Sequence, residues 1–244
     1  MKKSSVRTSI LTVVSMIICM FLNTNQVDAA TFMGIGDLPG GDFLSSARGI
    51  SADGTVVVGD SHSSSGCEAF RWTEATGIVG LGDLPGGNFF SVATATSSDG
   101  TVIVGRSCST LSGTNEEAFR WTEDTGMVGL GDLPGDPFRS EANSISADGT
   151  KIVGLSWVTP SDQRAFVWSE TNGMIDLGTL PGEEVSEAYD VSGDGSVIVG
   201  CAPVGGGFDA VRWTEEMGIE GLVGVEGHSF AYGVSTDGST IVGV

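Results

Sequence analysis

ISADGTVVVG, residues 50–59, reads as two β-strands joined by a tight turn. Asp53-Gly54 between β-prone segments predicts a type I′ turn, whose two central residues both need positive φ. The second strand, Thr55 to Val58, is rich in β-branched residues and is expected to stop at Gly59. The same text returns as TSSDGTVIVG from Thr96, ISADGTKIVG from Ile145, VSGDGSVIVG from Val191 and VSTDGSTIVG from Val234. The turn pairs are therefore Asp53-Gly54, Asp99-Gly100, Asp148-Gly149, Asp194-Gly195 and Asp237-Gly238. Their aspartates stand 46, 49, 46 and 43 residues apart.

Two further markers keep step with the first. An aromatic strand appears as AFRWTE from Ala69 and Ala118, AFVWSE from Ala165 and AVRWTE from Ala210. Phe70 and Trp72 are two residues apart and so share one face of a strand, as do Phe119 with Trp121 and Phe166 with Trp168. Trp213 holds the same place in the fourth copy. These aromatics are expected to fill the space between neighbouring sheets. After a Thr-Gly turn, a fourth strand such as Ile78 to Leu81 runs into a loop marker. That marker is GDLPG from Gly36, Gly82 and Gly131, and GTLPG from Gly178. Proline there lacks a ladder donor, and glycine permits the turn.

Each unit of about 47 residues is thus four short strands that cannot bury both faces alone, so copies must stack. The expected fold is all-β, a β-propeller-like array of four-stranded blades. A β-sandwich does not require the same loop text at regular intervals, and a parallel β-helix has shorter coils and fewer hairpins. The count opens with Phe32 to Leu38 as a fourth strand and closes with a hairpin around Phe230 to Ile241. That total, nineteen strands, is one short of five blades. The array therefore either closes through a composite blade or stays open, with the last blade incomplete and the chain a piece of a longer one.

Residues 1–29 read as a secretory signal. Lys2, Lys3 and Arg7 precede an apolar run from Ile10 to Leu22, and Val27 and Ala29 suit cleavage after Ala29. The run is too short for a membrane anchor. Residues 30–244 then form one repeat domain with 8 basic and 30 acidic residues, a net charge of −22. Such a field repels nucleic acid and anionic headgroups. The remaining cysteines, Cys67, Cys108 and Cys201, are odd in number and differ in repeat offset, so no disulfide framework is expected.

Catalytic patterns are not found. His62 and His228 lie in different repeat settings, outside any metal motif. Asp60, His62 and the serines beside them are too close along one loop for triad geometry. Asp37, Asp83 and Asp132 of GDLPG suit turn capping, with calcium the alternative; no segment has the carboxylate density of an EF-hand. No cofactor is expected otherwise. Glu116-Glu117, Glu183-Glu184 and Glu215-Glu216 read as surface charge. Arg71, Arg120 and Arg212 recur beside the tryptophan and are expected to pair with acids, whereas Val167 stands in the third copy.

The ordered set SxDGTxxVG, AFRWT and LGDLPG resembles the HAF family of bacterial extracellular repeats across nearly all of residues 30–244. The resemblance implies export and a propeller-like repeat domain, with no catalytic activity to carry over. The triplet that opens His-Ala-Phe in that family opens here with Glu68, Glu117, Arg164 and Asp209.

What varies between copies is the loop from second to third strand, DSHSSSGCE, RSCSTLSGTNEE, LSWVTPSDQR and CAPVGGGFD. Such loops change without disturbing the sheets and are the expected binding face, with Trp157, His62, Asp162 and Phe208 as candidate contacts. The resulting expectation is a secreted, periplasmic or cell-surface scaffold without enzymatic activity. Its partner would be an extracellular protein or a glycan, with neither nucleic acid nor membrane insertion after cleavage. The alternatives are a carbohydrate-active enzyme or lectin, and a remnant of a longer repeat protein.

Overall fold

The computed structural model describes residues 32–222 and 228–244, and the signal segment 1–29 lies outside them. Ile35–Val244 forms one compact unit. Every described element is a strand. The first sheet holds β1 Gly40–Ile50, β2 Val56–Ser63, β3 Gly66–Thr73 and β4 Gly77–Gly80. The second holds β5 Gly86–Thr96, β6 Ile103–Ser109, β7 Glu117–Thr122 and β8 Gly126–Gly129. The third holds β9 Ser140–Ile145, β10 Ile152–Trp157, β11 Gln163–Ser169 and β12 Gly173–Asp176. The fourth holds β13 Glu187–Val191, β14 Val197–Val204, β15 Gly207–Thr214 and β16 Gly218–Gly221. A two-stranded sheet, β17 Ala231–Val234 and β18 Ile241–Gly243, ends the array. Each four-stranded sheet is an antiparallel meander in chain order.

First strands of successive sheets lie against one another, β1 on β5, β5 on β9, β9 on β13 and β13 on β17. Among the described residues no comparable contact joins the fourth strands, so the sheets converge at their first strands and splay outward. This is the arrangement of propeller blades. The apolar core is a series of inter-sheet layers. Phe119 and Trp121 pack back onto Val56, Val58 and Ala69 of the first sheet. Phe166 and Trp168 pack onto Val104 and Ala118 of the second, and Val211 and Trp213 onto Val153 and Ala165 of the third. Phe70, Phe119 and Phe166 are fully buried, and Trp72 is half-buried.

The Asp-Gly turn differs from the expected type I′ form, because among the described residues none other than glycine has positive φ. Gly54 N–H donates to Ser51 C=O at 2.9 Å and Ser51 N–H to Val56 C=O at 2.9 Å, closing a loop in which Gly54 alone is left-handed, at φ 74°. The aspartate explains the change. Asp53 Oδ1 accepts from Thr55 N–H at 3.0 Å and from Ser51 Oγ at 2.7 Å, while Ser51 Oγ accepts from Val56 N–H at 3.0 Å. Asp53 thus spends its side chain on capping the loop and keeps ordinary negative φ. The other four copies repeat the pattern around Asp99, Asp148, Asp194 and Asp237.

These hydrogen bonds hold all five carboxylates below their ordinary range, Asp194 and Asp237 down to about 2. The leading cause is the Thr55 N–H for Asp53 and a serine hydroxyl for the other four. A lowered folded pKa contributes stability that is fully present above the unfolded value, about 4, and is lost as pH falls through the folded value. Asp83 and Asp132 work in the opposite sense, since burial raises them and acid relieves their cost. With five groups against two, the urea midpoint should fall between pH ~4 and ~2. Asp194→Asn, which keeps an acceptor oxygen, should retain most stability at neutral pH and lose part of that acid dependence. A midpoint that stays level across this interval would exclude the turn carboxylates as its source.

The second strand does not stop at Gly59; β2 runs through it to Ser63. Opposite Gly59 the first strand carries one extra residue, a β-bulge at Arg48. The same bulge recurs at Thr94, Asn143, Tyr189 and Tyr232, opposite Gly105, Gly154, Gly200 and Gly243. A Cβ on any of these glycines would overlap the carbonyl oxygen of the partner strand, from Ser46, Val92, Glu141, Glu187 and Phe230 respectively. The recurring glycine is therefore a demand of close backbone approach.

Nor is Phe32 to Leu38 a strand. Leu38 is buried, and its N–H donates to Ser61 Oγ at 2.9 Å instead of to a ladder. Leu84 and Leu133 do the same with Ser107 and Ser156. The described residues accordingly hold 18 strands, four complete sheets and one hairpin, in place of the nineteen expected. The array is open as well: among the described residues no broad packing joins β17 or β18 to the first sheet.

Candidate functional site

Because the meander alternates direction, the two ends of each sheet carry different loops. Asp-Gly and Thr-Gly turns share one end; the variable second-to-third-strand loops and the LPG connections share the other. The first end is stapled. Ala52 N–H donates to Ser98 C=O, Ser98 to Ala147, Ala147 to Gly193 and Gly193 to Thr236, each at 2.9 Å. One backbone hydrogen bond thus passes from every Asp-Gly loop to the next.

The second end is held by buried serines at strand starts. Ser91 Oγ accepts from Ala69 N–H at 2.9 Å and donates to Gly82 C=O at 2.5 Å. Ser140 joins Ala118 to Gly131 and Ser186 joins Ala165 to Gly178 in the same way. Both backbone groups are thereby satisfied away from water. These serines escaped the sequence reading. Their signal is placement: Ser45, Ser91, Ser140, Ser186 and Ser229 each stand eight residues before an Asp-Gly aspartate.

On this stapled frame sit the candidate contact residues. His62 lies half-buried on β2, opposite Cys67. Trp157 ends β10, with the Arg139 guanidinium 3.8 Å from the ring centroid. Arg139 is itself held by Glu116 at 3.3 Å and Glu141 at 2.9 Å. Asp162 belongs to the same loop as Trp157; its carboxylate accepts from Thr159 Oγ1 at 2.7 Å and its C=O from Val158 N–H at 2.9 Å. Phe208 opens β15 and joins a row that the sequence did not announce. Its ring is 5.7 Å from Phe230 and 6.4 Å from His228; Phe230 stacks on Tyr232 at 5.9 Å, and Tyr232 meets Tyr189 at 5.5 Å. No hydrogen bond or ring contact joins His62, Trp157 and Phe208 among the described residues. They share an end of the array.

The acids have other duties than the sequence implied. Glu117 is buried and accepts from Gly131 N–H at 3.1 Å, as Glu68 does from Gly82 N–H. The LPG loop is thus capped by the glutamate that opens the Ala-Phe triplet, and burial pushes Asp83 and Asp132 up. Glu116 and Glu184 are ion-paired, with Arg139 and Arg164. Of the arginines beside the tryptophans, Arg212 pairs with Glu220 at 2.9 Å. Arg71 and Arg120 make no ion pair among the described residues, since their cross-strand neighbours are Val79 and Val128. Cys67, Cys108 and Cys201 are free thiols, and burial raises all three, Cys201 to about 11. Burial also raises the Tyr189 hydroxyl, which donates to Glu187 at 2.7 Å. Among the described residues no three His, Cys, Asp or Glu side chains converge as a metal site.

No protein-family model matches this chain. No curated protein matches it in sequence. Solved structures do match in fold. The crystal structure of TolB from Acinetobacter baumannii superposes with a TM-score of 0.53 at 15% identity, over 76% of this chain and 45% of that one. The structure of a putative TolB from Agrobacterium tumefaciens superposes with a TM-score of 0.56 at 16% identity, over 76% of this chain and 64% of that one. This chain therefore covers less than two thirds of either neighbour. At such identities the likeness concerns the fold, and the fold is an open β-propeller array.

Proposed function

We propose that this protein is an exported, non-catalytic scaffold that binds another protein through the variable loops at one end of its blades. The observation that carries the reading is the contrast between a repeated frame and unrepeated loops. Backbone and serine staples repeat from blade to blade, while second-to-third-strand loops of four different texts emerge together from that frame. Loops on a rigid frame are where recognition is most readily varied. A protein partner is favoured over a glycan by the aromatic row. Phe208, Phe230 and Tyr232, with ring planes 25° and 4° from parallel and centroids 5.7 and 5.9 Å apart, form a run of aromatic surface of the kind enriched at the centres of protein interfaces. Export is supported by the leader sequence and by the resemblance to the HAF repeats.

Two experiments test this. Material recovered outside the cytoplasm should begin at Ala30, and full-length protein retained inside would refute export. Cell-envelope proteins of the source cell, cross-linked to the purified chain, should yield a partner whose affinity drops about tenfold when Trp157 and Phe208 become alanine. Unchanged affinity in that variant would remove the loop end from the interface. Glycan binding abolished by the same substitutions would replace the protein reading with a lectin one.

A further inference from the structure

A cleft of about 680 Å³ opens between the third and fourth sheets, at the end opposite the variable loops. Its walls are Val167, Ile175 and Leu177 from one sheet and Ile198 and Trp213 from the next. Its mouth carries the carboxylates of Asp194, Glu215 and Glu216, with one cation, Lys151. The volume falls in the range of ligand sites.

The repeat shows how this junction differs from its counterparts. Strand alternation puts Ala69 and Arg71, Ala118 and Arg120, and Ala165 and Val167 on the face that meets the following sheet. In the first two junctions an arginine therefore stands opposite Val79 or Val128, toward the sheets of Trp121 and Trp168. In the third, Val167 stands opposite Ile175 and stops short. Lys151 occupies the position of Val56 and Val102 but is tied back, its Nζ donating to Gly195 C=O at 2.9 Å. The cleft keeps three carboxylates against that one ammonium. Asp194 stays ionised because Ser192 and Ser196 donate to it. Trp213 lines the cleft, and its buried Nε1–H, which has no hydrogen-bond partner among the described residues, makes its indole signal a reporter on that wall.

We propose that this cleft binds the side chain of an arginine presented by a partner polypeptide. Its apolar stem lies on Val167 and Ile175, and its guanidinium serves the carboxylates at the mouth. Arginine suits the site better than lysine, because a planar fork of donors serves two carboxylates at once.

The probe is the blocked peptide acetyl-Gly-Ser-Gly-Arg-Gly-Ser-Gly-amide, titrated into the full chain at physiological salt. The readout is the set of tryptophan indole N–H signals in nitrogen-15 NMR. The Trp213 signal should shift saturably while those of Trp72 and Trp121 stay in place. The same peptide with citrulline, which has the shape without the charge, should bind at least about tenfold more weakly. Val167→Arg, which restores the residue of the other copies, should abolish the shift. Glu215→Gln with Glu216→Gln, both on exposed positions, should weaken binding without altering thermal stability and guards against a folding defect in the first variant. A silent Trp213 signal, equal binding of the citrulline peptide, or full binding by the double glutamine variant would each overturn the proposal.

Discussion

Gly154→Ala is expected to lower unfolding stability by about 3 kcal/mol or more, the upper range for a forced overlap in a packed interior. The added Cβ has nowhere to go. It would overlap the Glu141 carbonyl oxygen where Asn143 is the bulged residue, and Ala142 lies just beyond. Neither neighbour can yield cheaply, because Ala142 is buried against the second sheet and Asn143 donates to Ala188 C=O at 2.8 Å. The damage should spread to both adjoining junctions. Gly221→Ala provides the comparison: it is a strand glycine with open space around its Cβ position and no positive φ, and it should change stability by less than about 0.5 kcal/mol. Equal urea midpoints for the two variants would mean that the bulge relaxes and that the recurring glycine has another cause.

The second large effect is a charge exchange already made within the chain. In the first two sheets a glutamate opens the Ala-Phe triplet and a glycine lies beside it, Glu68 with Gly80 and Glu117 with Gly129; a Cβ on either glycine would overlap the carboxylate. In the third sheet Arg164 replaces the glutamate and Asp176 replaces the glycine, with their charges 3.6 Å apart. The loop glycine keeps its acceptor throughout, Glu117 for Gly131 N–H at 3.1 Å and Asp176 for Gly178 N–H at 2.7 Å. Glu117→Arg alone should therefore cost about 3 kcal/mol or more, since it buries a cation and orphans the Gly131 N–H. Gly129→Asp alone should also be severe, setting carboxylate against carboxylate. Together they should recover part of the loss, with a coupling energy of about 1–3 kcal/mol. Additive losses in the double-mutant cycle would show that the two positions do not communicate. Full recovery is not expected, because Arg164 has a second partner, Glu184, where the second sheet has Phe138.

Much of this architecture was legible as text. Five Asp-Gly turns, four Phe/Val-x-Trp strands and four LPG loops in fixed order led directly to four-stranded units stacked in a propeller-like array. Local errors came where one residue type serves two geometries. Asp-Gly suits a type I′ turn and equally a capped loop with one left-handed glycine, and only the partners of Asp53 separate them. A glycine after a β-branched run reads as a strand end, yet Gly59 lies within β2 because a carbonyl from β1 needs its empty side. Phe32 to Leu38 reads as the fourth strand that opens the count, whereas Leu38 spends its N–H on a serine hydroxyl.

The candidate sites were less legible, for a related reason. Trp157, Asp162 and Phe208 were visible because they break the repeat, and each does lie at the variable end. Their surroundings were not visible. The row from Phe208 through Phe230 and Tyr232 to Tyr189 draws on two sheets and on residues at different repeat offsets. Val167 was visible as an exception, but the cleft it opens depends on what the following sheet presents there. By itself the sequence determined the period, the strands within it, the acidity of the chain and the positions that break the pattern. These are set by local propensity and by residue spacing along one strand. The tertiary structure alone decided the bulges, the serine and backbone staples, the glutamate–glycine exchange and the cleft. Each joins residues of different strands or successive blades, and such contacts are fixed by how neighbouring sheets approach and not by the text of either one.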